Sequence, residues 1–206
     1  MNSDQTISFL SDESLNSKLD FIQELDKLKH VLRRTVLMDG SRRENSAEHS
    51  WEIATMALVL HEYGESGTDL FRVVKMLLIH DLVEIDAGDT YVYNEHAVSN
   101  QAERERVAAE RIFGLLPEPH RSELHDLWKE FEARDTVDAR FARAIDRLQP
   151  LIHNYCTKGQ VWQENRITAD RVRQTMSVVS DASESLGRLS NYLVDDAIAK
   201  GFLESD

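Results

Sequence analysis

Apolar residues recur along most of this chain at steps of three and four, the spacing that gathers them on one face of an α-helix. In 69–84 the stripe is Leu70, Val73, Val74, Leu77 and Leu78; in 136–158 it is Phe141, Ile145, Leu148 and Ile152. The pattern predicts helices over 15–36, 46–64, 69–84, 96–114, 120–133, 136–158, 168–186 and 188–202. Three Pro and eight Gly are few breakers for 206 residues, so the expected fold is all-α, a helical bundle occupying 15–206 as one domain. Residues 1–14 are polar and acidic and are expected to be a mobile N-terminal segment.

Three polar residues interrupt these stripes. Asn45 followed three residues later by Glu48 predicts a capping box at the start of helix 46–64, which fixes His49 in its first turn. Steps of three or four from His49 run through Ile53 and Leu60, so its imidazole points with the core stripe. A core histidine held by one hydrogen bond would fit that position as well as a metal ligand. Asp81 continues the Leu77 and Leu78 stripe where an aliphatic residue is due, and an unpaired buried carboxylate is costly, so it asks for a cation, strong donors or water. His80 and Glu84, four apart, share one flank of the same turn. Asp146 lies beside the Phe141–Ile152 stripe, just before Pro150, and fits either a metal or a salt bridge to Arg143 or Arg147.

Composition narrows the partners. With 24 Lys and Arg against 37 Asp and Glu the formal charge is −13, which opposes binding to a nucleic-acid backbone or an anionic membrane. No apolar run approaches the roughly 18 residues of a membrane span, and Met1 to Ser17 lacks the basic and hydrophobic parts of a signal peptide, so a cytoplasmic location is expected. The single Cys156 has no partner for an internal disulfide and is expected to be a small buried apolar residue. A second His-Asp pair, His125-Asp126, has no comparable surroundings.

His49, His80, Asp81 and Asp146 offer two imidazoles and two carboxylates from three helices. Mixed nitrogen and oxygen donors suit one divalent ion among Mn²⁺, Co²⁺, Fe²⁺, Ni²⁺, Zn²⁺ or Mg²⁺, with positions left for water and substrate, which is the arrangement of a hydrolytic site. The segment Glu44-Asn45-Ser46-Ala47-Glu48-His49-Ser50, then His80-Asp81 with Glu84 and Gly88-Asp89, then Asp146 in Ala-Ile-Asp-Arg-Leu-Gln-Pro, resembles the HD superfamily of metal-dependent phosphohydrolases, and within it the 5′-deoxynucleotidase-like branch. The resemblance runs from about Phe21 to about Gly187. It implies that His49, His80, Asp81 and Asp146 hold one metal, that Glu84 and Asp89 are catalytic, flanking the attacking water or the leaving oxygen, and that Arg34, fifteen residues before His49, contacts the substrate phosphate. It further implies hydrolysis of nucleoside 5′-monophosphates, with deoxyribose preferred, and a homodimer.

The chemistry of the side chains agrees with these roles. Glu84 stands one helical turn beyond His80, Asp89 follows Gly88 where the chain can turn back across the site, and Arg34 offers phosphate a planar fork of donors. Arg33 and Arg34 are expected at the C-terminal end of a long helix, where cations also favour the dipole. Arg42 and Arg43 fit a solvated surface, and Tyr91 and Tyr93 fit either a nucleobase pocket or ordinary packing. Where the branch commonly has an aromatic residue after its phosphate-binding Arg, this chain has Thr35 and Val36, which leaves sugar selectivity open. His96, His120 and His125 fall in the interval where two-metal relatives carry extra histidines, but their surroundings read as loop and surface, so one metal is expected. The alternatives are hydrolysis of another small phosphate ester, such as a nucleoside polyphosphate or cyclic nucleotide, and a non-catalytic metal-containing binding module; Glu84 and Asp89 argue against the latter.

Overall fold

Helix α1, Glu13–Leu25, starts where the Asp12 carboxylate accepts the Leu15 N–H at 3.0 Å and tightens into a 3-10 turn over Asp26–His30. In this computed structural model, which describes residues 11–94 and 100–205, the next segment is a strand, β1 (Leu32–Val36), paired antiparallel with β2 (Arg43–Asn45). The expected helix over 15–36 therefore ends early. Val31, Thr35 and Val36 are β-branched and favour extended backbone, and the turn between the strands is closed by Gly40 at φ +72°, which only glycine adopts freely. Alternation along β1 buries Arg33 and Thr35 and exposes Leu32 and Arg34.

Helix α2, Ser46–Leu60, begins at the expected capping box: Asn45 Oδ1 accepts the Glu48 N–H at 2.9 Å and Glu48 accepts the Asn45 N–H at 3.1 Å. Helix α3, Leu70–Ile79, is capped by Asp69. It does not run on to 84, because a 3-10 turn over His80–Val83 intervenes before the short α4, Glu84–Ala87, which Gly88 closes at φ +74°. Helices α5 (Gln101–Phe113), α6 (His120–Ala133), α7 (Val137–Cys156), α8 (Gln160–Glu164), α9 (Ala169–Ala182) and α10 (Glu184–Ala199) complete the all-α body. The expected start of helix 96–114, His96 with it, and most of the expected N-terminal mobile segment lie outside the described residues.

The long α7 runs through Pro150 at the centre. Its Phe141, Ile145, Leu148 and Leu151 pack against Ile53 and Ala57 of α2, Val73, Met76 and Leu77 of α3, and Val172 and Val179 of α9. Each fully buried aliphatic side chain contributes about 2 kcal/mol relative to exposure. A second cluster joins Phe21 and Leu28 to Leu82, Val83, Ile112 and Phe113, and so fastens the His80–Val83 turn from the other side. Cys156 is exposed, contrary to expectation: it ends α7 off the inward stripe, which Ile152 and Tyr155 continue. Among the described residues no helix is long and apolar enough to cross a membrane.

Candidate metal centre

Helix α2, the turn after α3 and helix α7 bring His49, His80, Asp81 and Asp146 to one buried point. His49 Nε2 lies 3.0 Å from Asp146 Oδ1 and 4.0 Å from Asp81 Oδ2; His80 Nε2 lies 3.6 Å from Asp146 Oδ1 and 2.9 Å from Asp81 Oδ1. The Nδ1 atoms face acceptors, Gln149 Oε1 at 3.1 Å for His49 and the Leu77 carbonyl at 3.0 Å for His80. Carbonyl oxygens only accept, so both Nδ1 atoms carry hydrogen, and both Nε2 atoms, the ones a metal would take, turn inward. Such anchoring of the far ring nitrogen is how ligating histidines are held.

The group fits a divalent metal by its donors and by one further observation. His80 Nε2 is buried without a hydrogen-bond partner among the described residues, since the approach of Asp81 Oδ1 is not that of a hydrogen bond. His49, His80 and Asp81 present ligand atoms within 4.8 Å of one another. Without a metal, burial would lower the His80 pKa, but Asp81 and Asp146 push it up to about 10. Metal binding must therefore displace a proton from this ring.

The remaining acids surround one arginine. Arg33 points inward from β1 with Nη1 2.9 Å from Asp81 Oδ2, 3.7 Å from Asp89 and 3.9 Å from Glu84, while its Nε donates to Glu44 at 3.2 Å. Burial would raise the Asp81 carboxyl, but His80 and Arg33 hold it well below the usual range. Burial likewise opposes ionisation of Asp146, which Arg147, His49 and His80 overcome. Glu84 moves the other way: burial and the nearby Asp81 charge raise it well above the ordinary value, even though Ser46 Oγ–H donates to its Oε2 at 2.6 Å. Asp89 is raised too, mainly by burial, with Arg33 opposing. Two ionised carboxylates and two that resist ionisation thus stand side by side, the arrangement that separates ligands from proton-handling groups.

Arg34 does not reach this cluster. It is exposed on the outward face of β1 and lines an adjacent cleft with Tyr91, Tyr93, Trp162 and Met176. Neither arginine ends a helix. The sequence reading passed over Arg33, Ser46, Glu44 and Gln149 as site residues, although the last three stand inside the motif segments it singled out. A period-two reading of Leu32-Arg33-Arg34-Thr35 would have separated the inward arginine from the outward one. Tyr91 and Tyr93 meet edge to face at 5.3 Å in that cleft. His125 stacks on Trp128 instead of joining the centre, and Arg42 pairs with Glu48 at the exposed start of α2.

A family model for the HD domain matches residues 25–186, and the chain belongs to the HD-domain family. It is 29% identical to human 5′-deoxynucleotidase HDDC2 over 143 residues, which cover 69% of each chain. The crystal structure of a predicted metal-dependent phosphohydrolase from Magnetospirillum magnetotacticum MS-1 superposes with a TM-score of 0.89 at 49% identity, covering 94% of this chain and 100% of that one. The PH0347 protein of Pyrococcus horikoshii, at 19% identity, TM-score 0.61 and coverage of 87% and 97%, shares the fold. Family, structural neighbour and donor set make this protein a metal-dependent phosphohydrolase.

Proposed function

We propose that the protein hydrolyses nucleoside 5′-monophosphates, deoxyribonucleotides above all, to the nucleoside and inorganic phosphate. The observation that carries this reading is the placement of Glu84, buried, and Asp89, half-buried, both with raised pKa values, beside a convergent His49, His80, Asp81 and Asp146 donor set at the mouth of an aromatic cleft. The name of the human relative supports the substrate class.

His49, His80, Asp81 and Asp146 would hold one divalent ion. When bound, it supplies positive charge that lowers the pKa of water and withdraws charge from the phosphoryl oxygens. Glu84, made more basic by burial and held by Ser46, takes a proton from the attacking water as its oxygen bonds to phosphorus. The bond from phosphorus to the ester oxygen breaks, and that oxygen takes a proton relayed by Asp89, whose carboxyl burial pushes upward. Arg34, on the rim of the cleft, contacts the phosphate, and Tyr91, Tyr93 and Trp162 offer faces to the base. Arg33, held among acids, positions Asp81 and restrains the charge of Glu84 and Asp89. The expectation of a homodimer is supported by the exposed apolar Trp51 and Leu58 on α2 and Phe71 on α3, and we extend it, with the cytoplasmic location, as part of the same proposal.

Phosphate release from ribo- and deoxyribonucleoside 5′-monophosphates tests the reading, using metal-stripped protein reloaded separately with Mn²⁺, Co²⁺, Ni²⁺, Zn²⁺ or Mg²⁺. Release that Asp81→Ala abolishes together with metal retention is expected, and Glu84→Gln should keep the metal while losing about a hundredfold or more in kcat. Equal turnover of ribonucleotides would remove the sugar preference that Thr35 leaves without an aromatic residue. No release with any bound metal would overturn the proposal.

A further inference from the structure

A second groove opens off the metal centre on the side away from Trp162. It shares Thr90, Arg143 and Arg147 with the polar cavity over His80, Asp81 and Asp146, and Tyr93 and Thr175 with the aromatic cleft. The charged residues among its described lining are Arg134, Arg143, Arg147 and Arg171, with no acid among them. In a chain of net charge −13, four cations from three elements without an interleaved acid are not what a solvated surface of this composition supplies.

These arginines are incompletely paired. The side chain of Arg134, at the left-handed end of α6, makes no hydrogen bond or ion pair among the described residues, and like-charged Arg143 is its strongest electrostatic neighbour. Among the described residues the Arg147 side chain has only a long contact to Asp146, 3.8 Å from Nε. Arg143 gives one hydrogen bond to Asp146 at 3.2 Å, and Arg171 donates to the Tyr93 carbonyl at 2.7 Å while lying over the Tyr93 ring. Most of their donors therefore have no acceptor among the described residues, and crowded guanidinium groups gain most from a multiply charged oxyanion. The six acids that face the neighbouring cavity, Asp81, Glu84, Asp89, Glu105, Glu132 and Asp146, do not line this groove.

We propose that the Arg134, Arg143, Arg147 and Arg171 groove is a second anion subsite, and that the preferred substrate carries a phosphoryl group in addition to the one cut. This rests on the phosphohydrolase reading above and narrows it. With the base in the aromatic cleft and the scissile phosphate at the metal centre, the shared residues Thr90 and Arg147 put the groove within reach of the same ligand. A 3′,5′-bisphosphate presents such a group while keeping the 5′-monophosphate that is cut, and a 5′-diphosphate, which lacks that monophosphate, serves as the comparison.

The test is calorimetric binding to the full-length, chelator-treated protein, which separates affinity from turnover. The probes are 2′-deoxyadenosine 5′-monophosphate, its 5′-diphosphate and its 3′,5′-bisphosphate. The 3′,5′-bisphosphate should bind about tenfold more tightly than the monophosphate, the gain expected of a few partly solvated arginine–phosphate contacts. The ratio should collapse towards one in Arg134→Glu, which disturbs no packing, and in Arg171→Gln. A preference shown by the 5′-diphosphate alone would overturn the assignment of the groove to a sugar-borne phosphate. Equal affinities in the wild type, or a ratio that survives both variants, would overturn the subsite. Monophosphate release by the Mn²⁺-loaded protein, scored separately, distinguishes the two failures: release with equal affinities sinks only the subsite, whereas preference without release sinks only the hydrolytic reading.

Discussion

The side chain of Gln149 shows how much of the centre depends on one amide. Its two hydrogens go to Glu44 at 2.9 Å and Glu52 at 2.8 Å, which leaves Oε1 as the acceptor for His49 Nδ1. The acids thereby choose the orientation of the amide, the amide fixes a hydrogen on His49 Nδ1, and Nε2 is left facing Asp146 and Asp81. Replacing Gln149 with Leu removes the acceptor and takes one donor each from Glu44 and Glu52. Metal affinity should fall by about 10–100-fold, measured by competition with a chromogenic chelator, and unchanged affinity would show that His49 holds its tautomer without help. None of this was legible in the sequence, because Gln149 and His49 are 100 residues apart and an amide in a helix announces nothing. His49, Asp81 and Asp146 were legible, each as a polar residue on or beside an apolar stripe.

At the scale of elements, the small sheet matters more than its eight residues suggest. As a continuation of α1, Arg33 and Arg34 would both have faced outward; as a strand, the chain sends Arg33 into the acids and Arg34 to the cleft. The helical periods of α2, α3 and α7 were plain in the apolar pattern, whereas five residues of strand are too few to assert a period of two against the helix before them. His153 ties the sheet to the bundle: from α7 its Nδ1 donates to the Val36 carbonyl of β1 at 3.1 Å, and its Nε2 faces Glu52 of α2 at 3.0 Å. Burial would lower this imidazole, but Glu52 and the Val36 carbonyl raise it above 6.5, and His153 in turn lowers Glu52 below 4.5. A raised His contributes stability fully below its unfolded pKa and loses it as pH rises through the folded one. A lowered Glu contributes above its unfolded pKa and loses that contribution as pH falls through the folded one. Glu52→Gln should therefore cost about 1 kcal/mol near pH 6, allowing for the partial exposure of Glu52, and the difference from wild type should shrink in alkali. Urea titrations at pH 6 and at pH 9 to 10 check this, and a difference that does not change with pH would refute the ion pair.

For the whole molecule, the question is what a metal does to a fold that already has its core. The large apolar cluster around α7 and the second one beneath the His80–Val83 turn are complete without an ion, so the chelated protein should remain folded, unlike small domains whose structure is made by zinc. The cost of lacking the ion is local: Asp81, Asp146, Glu84, Asp89 and Glu44 are gathered in a buried space, with Arg33 as the cation that touches most of them. Because a metal held by His49, His80, Asp81 and Asp146 binds only the assembled site, it stabilises the native state by mass action, about 4 kcal/mol at a thousandfold excess over Kd. For a chain of this length that corresponds to a rise of about 8–16 °C in Tm. Scanning calorimetry of chelated protein with and without added Mn²⁺ should show that rise, with a single cooperative transition in both. Asp81→Asn should melt at a temperature indifferent to the ion. A metal-dependent shift preserved in that variant would place the ion elsewhere in the molecule, and loss of the transition on chelation would mean that the apolar core does not suffice to hold the acids together.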